Sequence, residues 1–364
     1  MKNTLVILIA ACLFGVSIKA QKKQEIIKGT WITNVASDIL KSKKNIVEGI
    51  KLCKKNGINN IYVVVWNNGV TMYPSKVVDE YIGIKQSLLY VNRDPLKEII
   101  NEGHKAGIKV HAWFEFGFSY AYKDSNSVWL KRYPEWTGKN KQGNLLLKNK
   151  FYWWSGINPE VQAFMKKMIS EVVSTYEVDG IQGDDRLPAM PSEGGYDAYT
   201  IQLYAREHNG AVPPQNPKDT MWLQWKADQL SSFGKAVYQM VKVLKPDCVV
   251  SWAPSIYPWC KEQYLQDWPK WLTEGYADYI IPQLYRYKIS DYENILKELH
   301  ALVPEGLKYK VFPGILTSLG DGYQSTRELT DQMIQMNRKY GFKGVVFFYF
   351  ETLRRMKDRF YSKK

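Results

Sequence analysis

Val178-Asp179-Gly180-Ile181-Gln182-Gly183-Asp184-Asp185 reads as a short apolar strand running into two adjacent carboxylates. Side chains alternate along a strand, so Gln182 and Asp184 share one face while Asp179, Ile181 and Asp185 share the other. With Ile181 packed against a helix layer, Gln182 and Asp184 point into whatever the strands enclose. An Asp pair after a strand ordinarily caps a helix or makes a turn. Here Arg186-Leu187-Pro188 follows in place of an immediate helix, which favours a functional reading.

Seven further segments of this kind surround the first, at residues 29–34, 60–66, 109–114, 249–253, 279–284, 310–315 and 344–350. Amphipathic helical stretches separate them, the βα alternation that gives a parallel sheet. Eight such units predict an α/β fold of the TIM (β/α)8 barrel type. Asp94-Pro95 and Asn158-Pro159-Glu160 each set a capping side chain before a proline at the first helical position. Asn56-Gly57-Ile58, Ala106-Gly107-Ile108 and Tyr340-Gly341-Phe342 put a glycine between a helix and the next strand. Helix-to-strand turns are short, whereas the strand-to-helix loops at 67–92, 116–157 and 185–218 are long. In a barrel such loops follow the C-terminal strand ends, where active sites are built. No spacer or low-complexity tract divides the 364 residues, and one barrel domain over 27–362 is expected.

Alternation on the third strand groups His111, Trp113 and Glu115 inward. A polar side chain there must be hydrogen-bonded or meet substrate; for His111 a satisfied core position is the competing reading. Glu115 and Asp184 lie at the ends of adjoining strands, and two carboxylates across a cleft are what glycoside hydrolysis requires, one to carry a proton and one to act as base, nucleophile or stabiliser. Other strand ends bring Trp31 and Asn34, Trp66 and Asn67, Trp252, Gln283 and Tyr285. Flat aromatic faces suit the C–H surface of a sugar ring, and amides serve its hydroxyls. Glu351 reads equally as a third acid and as the start of the last helix.

Lys2 before an apolar run from Leu5 to Ile18, with Ala20 before Gln21, reads as an export signal over residues 1–20. Ile9-Ala10-Ala11-Cys12 also resembles a lipoprotein box, a second expectation that would anchor the chain through Cys12. The expected location is therefore the periplasm or cell envelope. Cys53, Cys248 and Cys260 lack CxxC spacing and make no disulfide framework. Cys248, at the start of a strand, reads as core, while Cys260 lies near enough to a strand end to line a pocket. A formal charge of +14 suits an acidic polymer or an anionic surface, and nucleic acid is not an expected partner. The chain has no GxSxG elbow, P-loop, HExxH or dinucleotide fingerprint, so neither nucleotide nor cofactor is expected, and four scattered His make no metal cluster.

Four segments carry a family resemblance: Gly29-Thr30-Trp31-Ile32-Thr33-Asn34, His111-Ala112-Trp113-Phe114-Glu115, Asn158-Pro159-Glu160-Val161 leading into 178–185, and Ile280-Ile281-Pro282-Gln283-Leu284-Tyr285. In them the chain resembles the glycosyl-hydrolase-like 10 family of bacterial envelope proteins. The resemblance implies a TIM barrel acting on peptidoglycan glycan strands, particularly those stripped of stem peptides. Lys28 stands where the family carries Arg, and Arg186 where an aromatic is common. The fourth strand also looks like that of family 18 chitinases, in which the 2-acetamido group of the substrate attacks its own anomeric carbon. On that route Asp184 would orient the amide, and Glu115 would be the acid, because Arg186 occupies the usual acid position.

The expectation is a glycosidase acting on an N-acetylated cell-wall glycan. Glu115 would be general acid/base, Asp184 nucleophile or amide-orienting carboxylate, and Asp185 its support. His111, Gln182 and Gln283 would hold the geometry, while Trp113, Trp252 and Tyr285 wall the subsites. The alternatives are hydrolysis of another polysaccharide and a barrel that binds glycan without cleaving it.

Overall fold

Each of the eight predicted strand regions contributes one parallel strand to a single sheet: β1 (Lys28–Ile32), β2 (Asn60–Val64), β3 (Lys109–Phe114), β4 (Gly180–Gly183), β5 (Val249–Trp252), β6 (Tyr279–Ile280), β7 (Gly314–Leu316) and β8 (Val345–Phe348). The computed structural model describes residues 26–356. The expected leader, Cys12 and the last residues of the expected domain span lie outside the described residues. The sheet order is β6-β5-β4-β3-β2-β1-β8-β7. Two isolated parallel bridges, Ile280 with Val311 and Gln283 with Gly314, join its edges and close the barrel.

A helix follows every strand: α1 (Lys43–Lys55), α2 (Pro95–Lys105), α3 (Pro159–Thr175), α4 (Thr220–Leu244), α5 (Trp268–Thr273), α6 (Ile289–Leu302), α7 (Arg327–Lys339) and α8 (Glu351–Arg355). Asp94 accepts a hydrogen bond from Lys97 N at 3.0 Å and Asn158 from Glu160 N at 2.8 Å, so both proline-led starts are capped as read. Gly57, Gly107 and Gly341 take φ of 69°, 73° and 88°, the left-handed conformation that ends a helix at little cost only in glycine.

Two strands are shorter than their apolar runs. Pro282 and Pro313 offer no N–H to a ladder, so β6 stops at Ile280, and residues 305–310 form a 3-10 turn ahead of a β7 that begins only at Gly314. The second strand likewise ends at Val64. Trp66–Asn67 instead pairs antiparallel with Val70–Thr71.

The lumen is filled in layers. In the lowest, the hydroxyls of Tyr62 and Tyr279 meet at 3.0 Å, and His111 stacks on Tyr62 with ring centroids 4.8 Å apart. Above it, Trp31 Nε1 donates to Gln182 Oε1 across the barrel at 2.7 Å, and Gln182 Nε2 donates to Ser251 Oγ at 3.3 Å. Both ends of a fully buried amide are thus paired. Stranding one would cost about 1–3 kcal/mol. Outside the barrel an aromatic cluster of Trp66, Trp129, Trp136, Trp154 and Phe164 ties the long loop after β3 to α3. All three described cysteines are free and buried, and Cys260 packs in the core instead of lining a pocket.

Candidate active site

Above the Trp31–Gln182 layer the strand ends open into a cleft of about 650 Å³ lined by Thr33, Asn67, Trp113, Glu115, Asp184, Asp185, Arg186, Gln283 and Tyr285, with loop residues closing its sides. Glu115 follows β3. Its Oε2 accepts from Asn67 Nδ2 at 2.7 Å and from Thr33 Oγ1 at 3.5 Å, while among the described residues Oε1 accepts no hydrogen bond and lies 3.9 Å from Arg186 Nη2. Asp184 follows β4 and is held on both oxygens: Oδ1 accepts from Gln283 Nε2 at 2.8 Å and Oδ2 from Arg186 Nη2 at 3.1 Å. Gln283 Nε2 also donates to the Ala253 carbonyl at 2.9 Å, so two acceptors fix which end of the amide faces Asp184. Asp185 Oδ1 sits 3.0 Å from Arg186 Nη1 as an ion pair without hydrogen-bond alignment.

These neighbours set the proton affinities. Burial pushes the Glu115 carboxyl above its ordinary range; Arg186 and the Asn67 hydrogen bond oppose this, while the charge of Asp185 adds to it. Burial raises Asp184 further, Asp185 and Glu115 act in the same direction, and Arg186 pulls back. Burial and the same three carboxylates keep Tyr285 protonated far above the usual phenol range. The cleft therefore offers a retained carboxyl proton, an adjacent carboxylate and a phenolic donor, the equipment of acid–base attack on an acetal.

Of the residues singled out in the sequence, Asn67, Trp113, Glu115, Asp184, Asp185, Gln283 and Tyr285 come together in this cleft. Trp31 and Gln182 lie directly beneath as its floor. The remaining five lie elsewhere. His111 is a core histidine: Nε2 donates to Asn60 Oδ1 at 2.8 Å, since Asn60 Nδ2 is already donating to Asn59. Trp252 faces the helices, because Ser251 before it points inward; its ring packs on Trp271 at 5.7 Å. Trp66 turns into the loop cluster and donates to the Gly117 carbonyl. Asn34 lies past the cleft, and Thr33, one residue earlier on the inward face, takes the position beside Glu115. Glu351 is wholly buried at the start of α8, accepting from Ser37 and Arg354.

Sequence reasoning missed Arg186 as a site residue, along with the side wall of Phe116, Tyr122, Asn149 and Phe151. The wall comes from the loop after β3, where Ser119–Tyr122, Phe151–Trp153 and Leu147–Lys148 form a small antiparallel sheet with no periodicity long enough to read. The adjacency of Arg186 to the Asp pair was the one signal available.

A parallel barrel with paired carboxylates at the C-terminal strand ends has the architecture of the glycoside hydrolase barrels. Residues 26–313 match the glycosyl hydrolase-like 10 family, and the chain belongs to that family. It is 26% identical over 280 residues to the glycosyl hydrolase DigH of Escherichia coli (strain K12), covering 70% of this chain and 60% of the relative. It is also 26% identical over 306 residues to the glycosyl hydrolase YngK of Bacillus subtilis (strain 168), covering 73% and 55%. The match thus spans somewhat more than half of these curated relatives. Among solved structures, the PgaB (BpsB) glycoside hydrolase domain from Bordetella bronchiseptica superposes with a TM-score of 0.66 at 12% identity, over 93% of this chain and all of that one. The catalytic domain of a Paenibacillus polymyxa β-amylase gives 0.61 at 11% identity, over 90% and 92%. At such identities the likeness is one of fold.

Proposed function

We propose that the protein is an exported glycoside hydrolase that cleaves O-glycosidic bonds in an N-acetylated bacterial cell-wall glycan, with peptidoglycan strands stripped of stem peptides as its substrate. The observation that carries the reading is the placement of Glu115 and Asp184 across one open cleft, each within reach of the same guanidinium nitrogen. Distances of 3.9 and 3.1 Å to that shared atom leave the two oxygens no more than about 7 Å apart, a bound that admits the ~5–5.5 Å of retaining glycosidase pairs. A barrel that had kept the fold and lost the chemistry would have no need to bury both acids at this cost.

Glu115 Oε1 is open to the cleft and carries the proton to the departing glycosidic oxygen. Asp184, locked by Gln283 and Arg186, acts on the opposite side as nucleophile or by orienting the 2-acetamido group. Trp113 and Tyr285 provide ring faces, and the Tyr285 hydroxyl, with no protein partner among the described residues, is available to a sugar oxygen. The family membership supports the class of bond. The basic chain, +14 overall, supports a glycan bearing lactyl carboxylates.

The test is release of soluble fragments, followed by mass spectrometry, from peptide-stripped sacculi, intact peptidoglycan and a panel of other polysaccharides. Wild-type protein is expected to act on the stripped strands, and E115Q and D184N each to lose about 10²–10⁴-fold in rate with folding intact. Release only from a polysaccharide without acetamido groups would sink the substrate assignment. Full activity in both variants would sink the site.

A further inference from the structure

Arg186 has more charged partners than any other residue of the cleft. Nη2 donates to Asp184 and faces Glu115, Nη1 pairs with Asp185, and Nε donates to the Glu115 main-chain carbonyl at 2.9 Å. The guanidinium is stacked over Phe151 and Phe116, its carbon 4.9 and 5.5 Å from their centroids, and its side chain is only 14% exposed. Such a planar fork, fixed on aromatic faces, addresses several acceptors in directions a lysine ammonium does not reproduce.

The contacts are unequal in a way that matters chemically. Both oxygens of Asp184 accept from groups that only donate, Gln283 Nε2 and Arg186 Nη2, and both bonds weaken when the carboxyl takes up a proton, so the pair of donors favours the carboxylate. Glu115 Oε1 has no donor closer than the 3.9 Å of Arg186, and a proton fits there without displacing a bond. The other titratable groups facing the pair are Asp185 from the same loop, which raises both acids and so works against the clamp at Asp184, Tyr285 from the strand end after β6 and, next to Arg186, Tyr264.

We propose that Arg186 is a positioning residue that divides the labour between the two inward acids, clamping Asp184 as the carboxylate and leaving Oε1 of Glu115 open for the proton. The inference rests on the glycosidase reading for its consequence in catalysis, but its physical content is proton occupancy, which is measurable without substrate. The experiment follows the ¹³C side-chain carboxyl signals of Asp/Glu-labelled protein through a pH titration in wild type, R186K and R186M, with E115Q and D184N for assignment, and in parallel records the pH–rate profile on whichever glycan the wild type cleaves.

Burial and the charge of Asp185 favour a proton on Asp184, and the two donors fixed on its oxygens, Gln283 and Arg186, oppose it; on that geometry Glu115 is expected to titrate above Asp184 in wild type. In R186M both midpoints should move upward by about one pH unit or more, the effect of deleting an opposite charge within ~4–6 Å. Both limbs of the rate profile should follow, with kcat down about 10-fold or more and KM little changed. R186K, which keeps the charge, should restore the midpoints but not the full kcat. Unmoved midpoints in R186M would overturn the proposal. So would Asp184 titrating above Glu115 in wild type, a result that stands even if neither variant folds. A wild type inactive on every glycan, with the titrations as expected, would instead count against the function alone.

Discussion

His111 carries a cost that the fold accepts in order to fill the lowest layer of the lumen. Burial pushes the imidazole down to about 4, with Asp179 opposing and Lys109 assisting, and its Nδ1 has no partner. The sign of the pH effect follows. Unfolded chain takes up a proton on this residue below the ordinary 6.5, whereas the folded barrel refuses it until about 4. The neutral-histidine contribution is therefore complete above pH 6.5, declines as the pH falls through that window, and levels off below 4. The loss is at most about 3–4 kcal/mol. Urea midpoints measured at pH 7, 5 and 4 should fall more steeply for wild type than for H111Q. Parallel losses would assign the acid sensitivity to other groups.

At the scale of elements, the site depends on how two loops dock. Gly117, in the turn after β3, has φ of 50°, and a Cβ there would lie 2.0 Å from the Arg186 carbonyl oxygen. That oxygen accepts from Phe118 N at 2.9 Å, so the loops after β3 and β4 meet backbone to backbone at Arg186 itself. G117A should cost distinctly more stability than G143A, whose φ of 79° is also positive but whose Cβ would meet nothing within 4 Å. The latter pays only the left-handed strain, about 1 kcal/mol. Denaturant midpoints for the two variants, together with kcat, check this. Equal costs, or full activity in G117A, would show that the docking does not support the site.

The same elements show what was legible beforehand. Period-two alternation placed His111, Trp113, Glu115, Gln182 and Asp184 toward the lumen, because a strand fixes side-chain direction locally. Applied through Ser251, the same rule puts Trp252 on the helix side; its aromatic identity is the misleading signal, since a tryptophan suits a sugar platform and a barrel–helix seam equally well. Trp66 and Asn34 lie where their strands have ended and alternation no longer holds. The Phe116–Phe151 wall depends on tertiary pairing within the long loop after β3, which no local pattern encodes.

For the molecule as a whole, closure of the barrel is uneven. The joint between β2 and β3 is laddered over five residue pairs from Asn60–Lys109 to Val64–Trp113. Between β6 and β7 there are two isolated bridges, with Pro282 and Pro313 contributing no amide hydrogen. Amides at 280–284 and 311–314 are accordingly expected to exchange with deuterium well before those at 60–64 and 109–114. Exchange followed by mass spectrometry would show it, and equal protection would contradict it. Gln283, which gives one of the two hydrogen bonds that hold Asp184, is itself a bridge residue of that thin joint. The stave that steadies the carboxylate is thus the shortest in the cask. A glycan that draws Asp184 and Gln283 together would act as a hoop, and its arrival would register as slowed exchange along the β6–β7 seam.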